Sequence, residues 1–186
     1  MSSFMFEGPR VRLRAWRDDD LPAFAALNAD PEVMRYLKAP LAREDSDAMA
    51  RRMAERLQSQ GWGHYALDVP GLGFAGFVGL SVPPFTIPLP GFDDAPQLEI
   101  GWRLARAAWG QGYASEAARL LLDFARDELR RPRIVSFTTV GNLKSQAVMQ
   151  RLALALAGAF DHPNLPGHPL QPHLLYCTPP GWSRAA

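Results

Sequence analysis

The 186-residue sequence predicts a single α+β domain, residues 1–186, with a central sheet flanked by helices. Three observations carry that prediction. Short runs with a period of two are interleaved with longer segments whose apolar residues recur at helical spacing. The length suits one hydrophobic core, since domains typically run to about 100–200 residues. Hydrophobic residues make up 47% and charged residues 21%, the balance of an ordinary globule, which excludes a disordered polyelectrolyte and a low-complexity fibre.

Taken in order, Val11, Leu13 and Ala15 alternate with Arg10, Arg12 and Arg14, which predicts a half-buried first strand with a basic outer face. Asp18, Asp19 and Asp20 precede Leu21, Phe24, Ala25 and Leu27, so acidic residues meet the positive end of a helix whose apolar stripe turns inward. Asp30, Pro31 and Glu32 repeat the start signal for a short helix ending near Leu37. Residues 42–60 carry Met49, Met53 and Leu57 on one face amid charges, a third and amphipathic helix. Strands at 62–69 and 74–81, joined by a Gly-rich turn at 70–73, make a hairpin.

Residues 82–97 then form a Pro-rich loop, VPPFTIPLPGFDDAPQ, of a length that compact domains rarely keep without a use for it. A strand at 98–104 leads into a helix whose stripe is Ala114, Ala117, Ala118, Leu121, Leu122 and Ala125, small enough for close contact with a sheet. A strand at 134–140 is rich in β-branched residues. Asn142 caps a last helix that runs to about Ala155, and 173–178 reads as a final strand. Most of the 17 prolines lie in 83–96 and 163–180, which marks both as loops. There is no internal repeat.

Charge and special residues narrow the function. The net charge of +1 supplies no field for nucleic acid, so any anion site must be local. The single cysteine, Cys177, forms no internal disulfide and has no Cys/His spacing partners for zinc, which favours a reducing compartment. The first ten residues lack the basic and apolar regions of a leader, and the longest apolar run, 152–160, is too short to span a membrane. These features predict a cytoplasmic protein without membrane partners.

The sharpest chemical signal is Trp109, Gly110, Gln111, Gly112, Tyr113 and Ala114, set between a strand and a helix of small residues. Glycines there let the backbone curl until several amide N–H groups face one point beside the positive end of the helix, where a phosphate fits. A tight turn feeding a helix is the plainer reading of the same pattern. A triphosphate loop needs Lys then Ser/Thr after the last glycine, but Tyr113 and Ala114 follow Gly112. A dinucleotide fingerprint needs a third small residue where Ser115 stands and an acidic strand end about 20 residues on, so a nicotinamide oxidoreductase fits poorly.

The segment resembles the acyl-CoA site of the GNAT acetyltransferase superfamily, whose pattern is (Q/R)xxGx(G/A) after a central strand. Gly112 and Ala114 match it, and Trp109 replaces the usual Gln or Arg. Nearly the whole chain is similar, in order, to the ribosomal-protein N-terminal acetyltransferase-like (RimJ/RimL-like) branch. The matching segments are RLRAWRDDD at 12–20, DPEVMRYL at 30–37, EIGWRLARAAWGQGYASEAARLLLDFA at 99–125, NLKSQAVMQRL at 142–152 and FDHPNLPGHPLQPHLLY at 160–176. The resemblance implies a mixed, mostly antiparallel sheet that splays to admit the pantetheine arm of acetyl-CoA. It also implies that the backbones of Trp102 and Leu104 pair with pantetheine, that Gly110 to Ser115 hold the pyrophosphate, and that Asn142 contacts the cofactor. A homodimer is allowed by the same likeness.

Acetyl transfer needs a neutral amine and a proton for the departing thiolate. An α-amine with pKa about 7.7–8.0 is far easier to use near neutrality than a lysine near 10.4. Glu99 is the candidate base, directly or through water, although strand parity puts it with Gly101 and Arg103, opposite Leu98, Ile100, Trp102 and Leu104. A structural Glu99–Arg103 pair is the alternative. Ser145, three residues after Asn142, is the candidate proton donor to sulfur by family likeness, or else a helix-surface serine. Phe85 and Phe92, with Asp93 and Asp94, are placed to shape an acceptor pocket, and His162 and His168 either touch the acceptor or fix their own loop. With His173 they lack metal-ligand spacing, so no metal is expected. Cys177 lies in an expected core strand with no adjacent group to activate it. One departure is Leu154, which stands near where the family places a glycine after its last helix. The reading is therefore an acetyl-CoA-dependent N-acetyltransferase that acts directly on a primary amine, either a protein N-terminus or a small molecule. The alternative is a non-catalytic acyl-CoA-binding regulatory module.

Overall fold

In a computed structural model of the chain, residues 4–182 are described. They form two compact units. One takes in residues up to Leu80 with Gly101–Leu120, and the other takes in Ser81–Ile100 with the residues from Leu121 onward. Among the described residues no helix is long and apolar enough to cross a membrane.

The first unit holds strands β1 (Phe4–Glu7), β2 (Arg12–Arg14), β3 (His64–Val69) and β4 (Gly73–Ser81, of which the last residue is shared out), paired antiparallel in that order. It also holds the later part of β5 (Glu99–Leu104), beside β4: Ala105 N donates to Ala75 O at 2.9 Å. At Gly76, φ is +135° and a Cβ would run into the Arg103 carbonyl, so this crossing tolerates only glycine. Helices α1 (Leu21–Ala29) and α2 (Arg43–Gln60) bury Phe24, Leu27, Ala50 and Met53 against Phe77, with Trp16 and Phe74 around them.

The second unit is the mixed part of the sheet, in the order β5, β6 (Val135–Thr139), β8 (Pro172–Cys177), β7 (Ala155–Asp161). The pairing of β5 with β6 is parallel and confined to Glu99 opposite Val135, whereas β6–β8 and β7–β8 are long antiparallel ladders. Its core joins Ile87, Phe92, Val135, Phe160 and Leu175. Helix α3 (Tyr113–Asp127) turns Ala117, Ala118, Leu121, Leu122 and Ala125 fully inward, and α4 (Leu143–Arg151) follows β6. This is the α+β, mostly antiparallel architecture that the sequence predicts.

Five local expectations are corrected. The strand expected first is preceded by β1, a peripheral strand paired only with β2. The basic outer face fails at Arg14, which is 3% exposed. Strand β2 has neighbours on both edges, and the turn at Asp18–Asp20 covers its second face, where Asp20 holds the Arg14 guanidinium with two bonds of 2.8 Å. The short helix expected at 30–37 is a pair of isolated turns, Met34 N to Asp30 O and Leu37 N to Met34 O. The last helix stops at Arg151 and not near Ala155, because Ala153 adopts φ +58° while Leu154 N bonds Met149 O, the closure usually marked by glycine. That early stop frees 155–161 to form β7, an edge strand whose side chains are mostly exposed and so lack inward alternation.

Candidate functional site

The first unit contributes a backbone turn. Gly110 and Gly112 have φ of +73° and +83°, and a Cβ on Gly110 would meet nothing within 4 Å, so the turn is open on that side. The first bond of α3 runs from Glu116 N to Gly112 O at 3.0 Å, which leaves the N–H groups of Tyr113, Ala114 and Ser115 without helical partners. Ser115 Oγ is buried with no hydrogen-bond partner. An opened glycine turn, spare N–H groups and an orphaned hydroxyl at a helix start fit the diphosphate of acetyl-CoA. Trp109, the departure from the family pattern, donates its indole N–H to Leu104 O at 2.8 Å and so ties the turn to the end of β5. Trp102 is half-buried and Leu104 is 6% exposed.

Sequence reasoning missed Arg10 at this turn. Its Nε donates to Glu116 Oε2 at 2.9 Å, its Nη1 to Gln111 O at 3.0 Å and its backbone N to Glu116 Oε1 at 2.7 Å. The guanidinium also lies 5.3 Å from the Tyr113 ring centroid, and a Cβ on Gly112 would come within 3.4 Å of Nη2. Nothing local in the sequence signals a contact between positions 106 apart.

The second unit contributes side chains. Glu99 is half-buried, and loss of solvation pushes its carboxyl up to about 8, opposed by a hydrogen bond with Ser81. A carboxyl in that state is protonated at neutral pH and becomes a base just above it. The alternative partner, Arg103, instead donates to Asn28 Oδ1 at 2.6 Å. Asn142 caps α4: its Oδ1 accepts from Ser145 N at 3.3 Å, and its Nδ2 donates to Ser145 Oγ at 3.1 Å and to Thr138 Oγ1 at 2.9 Å. Ser145 Oγ therefore accepts from Asn142, which leaves its own proton available to donate elsewhere.

The loop residues separate into two groups. Phe85 and His162 meet at a tilt, with centroids 4.6 Å apart, within a set of rings that includes Phe137, Phe160 and His173, and the His162 and His173 centroids lie 4.8 Å apart. Burial lowers both imidazoles, and each His162 charge would also face His173, so the pair is neutral near pH 7. Phe92, expected at the acceptor, is 8% exposed in the core, and Arg133 covers its ring with Cζ 4.1 Å from the centroid. His162 Nδ1 accepts from Asn164 N and His168 Nδ1 from Leu170 N, so both fix the 163–170 loop. Burial raises the Cys177 thiol, against the nearby Arg133, which leaves it a poor nucleophile. Among the described residues no three His, Cys, Asp or Glu side chains converge as a metal site.

Comparison with known proteins adds the family context. A family profile for the acetyltransferase (GNAT) domain matches residues 10–154. The FsC-acetyl coenzyme A-N(2)-transacetylase of Aspergillus fumigatus is 32% identical over 143 residues, which cover 72% of this chain but only 57% of that protein. The crystal structure of an acetyltransferase from Agrobacterium tumefaciens superposes with a TM-score of 0.74 at 26% identity, covering 94% of this chain and 93% of that one. The RimL ribosomal L7/L12 α-N-protein acetyltransferase, solved with coenzyme A, shares the fold with a TM-score of 0.74 at 18% identity, covering 95% and 98%.

Proposed function

Since the chain belongs to the GNAT acetyltransferase family and uses acetyl-CoA, we propose that it transfers the acetyl group directly to a primary amine, with Glu99 as the base. Acetyl-CoA supplies the activated acetyl thioester; the chain's own residues supply proton handling and position. The observation that carries this reading is the half-buried Glu99 carboxyl, held protonated to about pH 8 with Ser81 beside it. Just above that pH it accepts a proton from the attacking amine at a cost that a carboxylate of ordinary pKa would not match. Ser145 Oγ, which accepts from Asn142, holds a proton that it donates toward the departing thiol. The spare N–H groups at the start of α3 bind the diphosphate, and the Arg10–Glu116 pair keeps that turn in shape.

The acceptor is read as an α-amine of a protein N-terminus or a small amine, because either gives up its proton more readily than lysine. The RimL likeness supports placing the chain in the RimJ/RimL-like branch. The A. fumigatus relative is named an N(2)-transacetylase and not a protein acetyltransferase, so small amines stay in the panel beside N-terminal peptides. The family match takes in parts of both units, which supports reading the chain as one domain. The comparisons lend no support to a non-catalytic acyl-CoA-binding module. The test is thiol release from acetyl-CoA with a panel of N-terminal peptides and small amines. Release that depends on an amine, with the acetylated amine as product, is expected. CoA binding without release for any amine would return the reading to the non-catalytic module.

A further inference from the structure

Within the second unit, the side of the sheet that bears Glu99 also bears the set of aromatic and histidine rings. Glu99 stands opposite Val135 in the parallel pair, so both side chains leave the sheet on one side, and Phe137 follows on that side two residues, about 7 Å, further along β6. The antiparallel ladders carry the same side across the sheet, from Thr139 to His173 and from His173 to Phe160. The 82–97 loop adds a ring from the other end of the Glu99 environment. Ser81, which hydrogen-bonds the Glu99 carboxyl, stands four residues before Phe85. The Phe85 centroid lies 4.6 Å from that of His162 and 5.7 Å from that of Phe137, and Phe137 and His162 are 5.9 Å apart.

This set has a closed back and an accessible front. Phe160 and His173 are 6% and 8% exposed, whereas Phe85, Phe137 and His162 are half-buried, so the surface that solvent reaches belongs to these three neighbouring rings. Among the described residues no cation lies over any of the three, unlike Phe92, whose ring Arg133 covers. Burial lowers the His162 and His173 imidazoles, so the wall they share with the phenylalanines is uncharged. A carboxylate or hydroxyl placed against such a wall gives up water and gains no partner. A further ring gains both the buried area and edge-to-face contacts with the rings already there.

We propose that Phe85, Phe137 and His162 seat the side chain of the amine acceptor and that this side chain is aromatic, so that the substrates are arylalkylamines or peptides with an aromatic first residue. This step rests on the acetyl-transfer reading, because Glu99 acting as base is what brings the acceptor to this side of the sheet. Aromatic faces also attract cations, so a peptide that begins with arginine is the competing arm of the test.

The test measures kcat/KM for acetyl transfer to four peptides that differ only in a first residue of phenylalanine, leucine, serine or arginine, whose α-amines titrate in one narrow range. In parallel the unaltered protein is titrated with N-acetylphenylalaninamide and with N-acetylserinamide, neither of which can be acetylated at an α-amine, while the imidazole signals are followed by NMR. The phenylalanine peptide is expected to exceed the serine and arginine peptides at least tenfold and the leucine peptide severalfold. The phenyl probe should shift the His162 and His173 signals and leave His64, in the first unit, unmoved. F137A and F85A should each bring the ratio of the phenylalanine to the serine peptide toward one. Equal kcat/KM for those two peptides, or a preference for arginine, overturns the proposal while acetyl transfer stands, and neither result depends on a variant that folds. Unmoved His162 signals, or a preference that outlives both replacements, also overturns it. Shifted His162 signals with no amine-dependent turnover on any peptide sink the transfer reading, and with it the acceptor as owner of the ring.

Discussion

The turn at 109–115 and the side chains of Glu99, Asn142 and Ser145 are built from different parts of the chain. At the turn the backbone is the proposed functional group: Gly110 and Gly112 hold positive φ, and the N–H groups that follow lack helical partners. In the second set the side chains carry the proposed chemistry, and each takes its state from its surroundings, Glu99 from burial and Ser81, Ser145 from Asn142. A backbone site is damaged by adding atoms, whereas a side-chain site is damaged by removing them. The two should therefore fail differently, one in affinity for CoA and the other in turnover.

The largest effect is expected at Glu99. Replacement by Gln keeps the shape and removes the base, which lowers kcat by roughly 10²–10⁴-fold with CoA affinity unchanged. With an acceptor amine that stays neutral throughout, the wild-type rate should climb as pH rises through about 8 and then level off, and the variant should lose that limb. The sign for stability is the reverse. Between the ordinary value near 4.5 and about 8 only the unfolded chain ionises this group, so the native state loses stability as pH rises. Glu99→Gln should thus melt higher than wild type at pH 9 and not at pH 4. A flat rate profile with no stability gain would mean that Glu99 is neither buried in effect nor the base.

Next comes Gly112→Val, expected to weaken CoA binding by about 100-fold, or ~2.7 kcal/mol, with a smaller change in kcat at saturation. A β-branched residue at φ +83° is strained, and its Cβ would sit 3.4 Å from Arg10 Nη2. Gly71 in the β3–β4 turn has the same φ of +83° and nothing within 4 Å of its Cβ position, so Gly71→Val carries the strain without the site. Calorimetric titration with CoA should separate them: both lose stability, and only the first loses affinity. Equal affinities would remove the turn from the cofactor site.

The same contrast explains what could be read from the sequence. The turn was legible because glycine is the residue that positive φ selects, and because the small residues Ala114, Ala117 and Ala118 mark a helix packed close. The hairpin, α2 and the Asn142 cap were legible for the same local reasons. Where the chain breaks a local rule the sequence misleads: Ala153 does a glycine's work at the end of α4, so the local pattern carries the helix too far and hides β7. Residues whose role depends on distant partners were also hidden. Phe92 looked like a pocket residue until Arg133 and the core took its ring, and Arg14 looked like surface until Asp20 met it. Sequence parity places Glu99, but its burial is a tertiary fact.

The smallest effect, at Arg10, decides whether side chains also matter at the backbone site. The Arg10 side chain is 54% exposed, so its ion pair with Glu116 contributes little by itself, about 0–1 kcal/mol. Its geometry matters more than its charge: three donors from one residue hold Glu116 and the Gln111 carbonyl at the mouth of the turn. Arg10→Ala would leave the Glu116 carboxylate its bond from the backbone N–H of position 10 but no counter-charge at the start of α3, where it repels an incoming diphosphate. A three- to tenfold rise in the CoA dissociation constant is expected, ~0.7–1.4 kcal/mol. Adding Glu116→Gln to Arg10→Ala should recover part of that loss, because the repulsive charge goes while the turn keeps its glycines. A cycle of the two single variants and the double variant measures the coupling. If Arg10→Ala binds CoA as tightly as wild type, the turn works through its backbone alone, and the contrast with the side chains of Glu99 and Ser145 becomes complete.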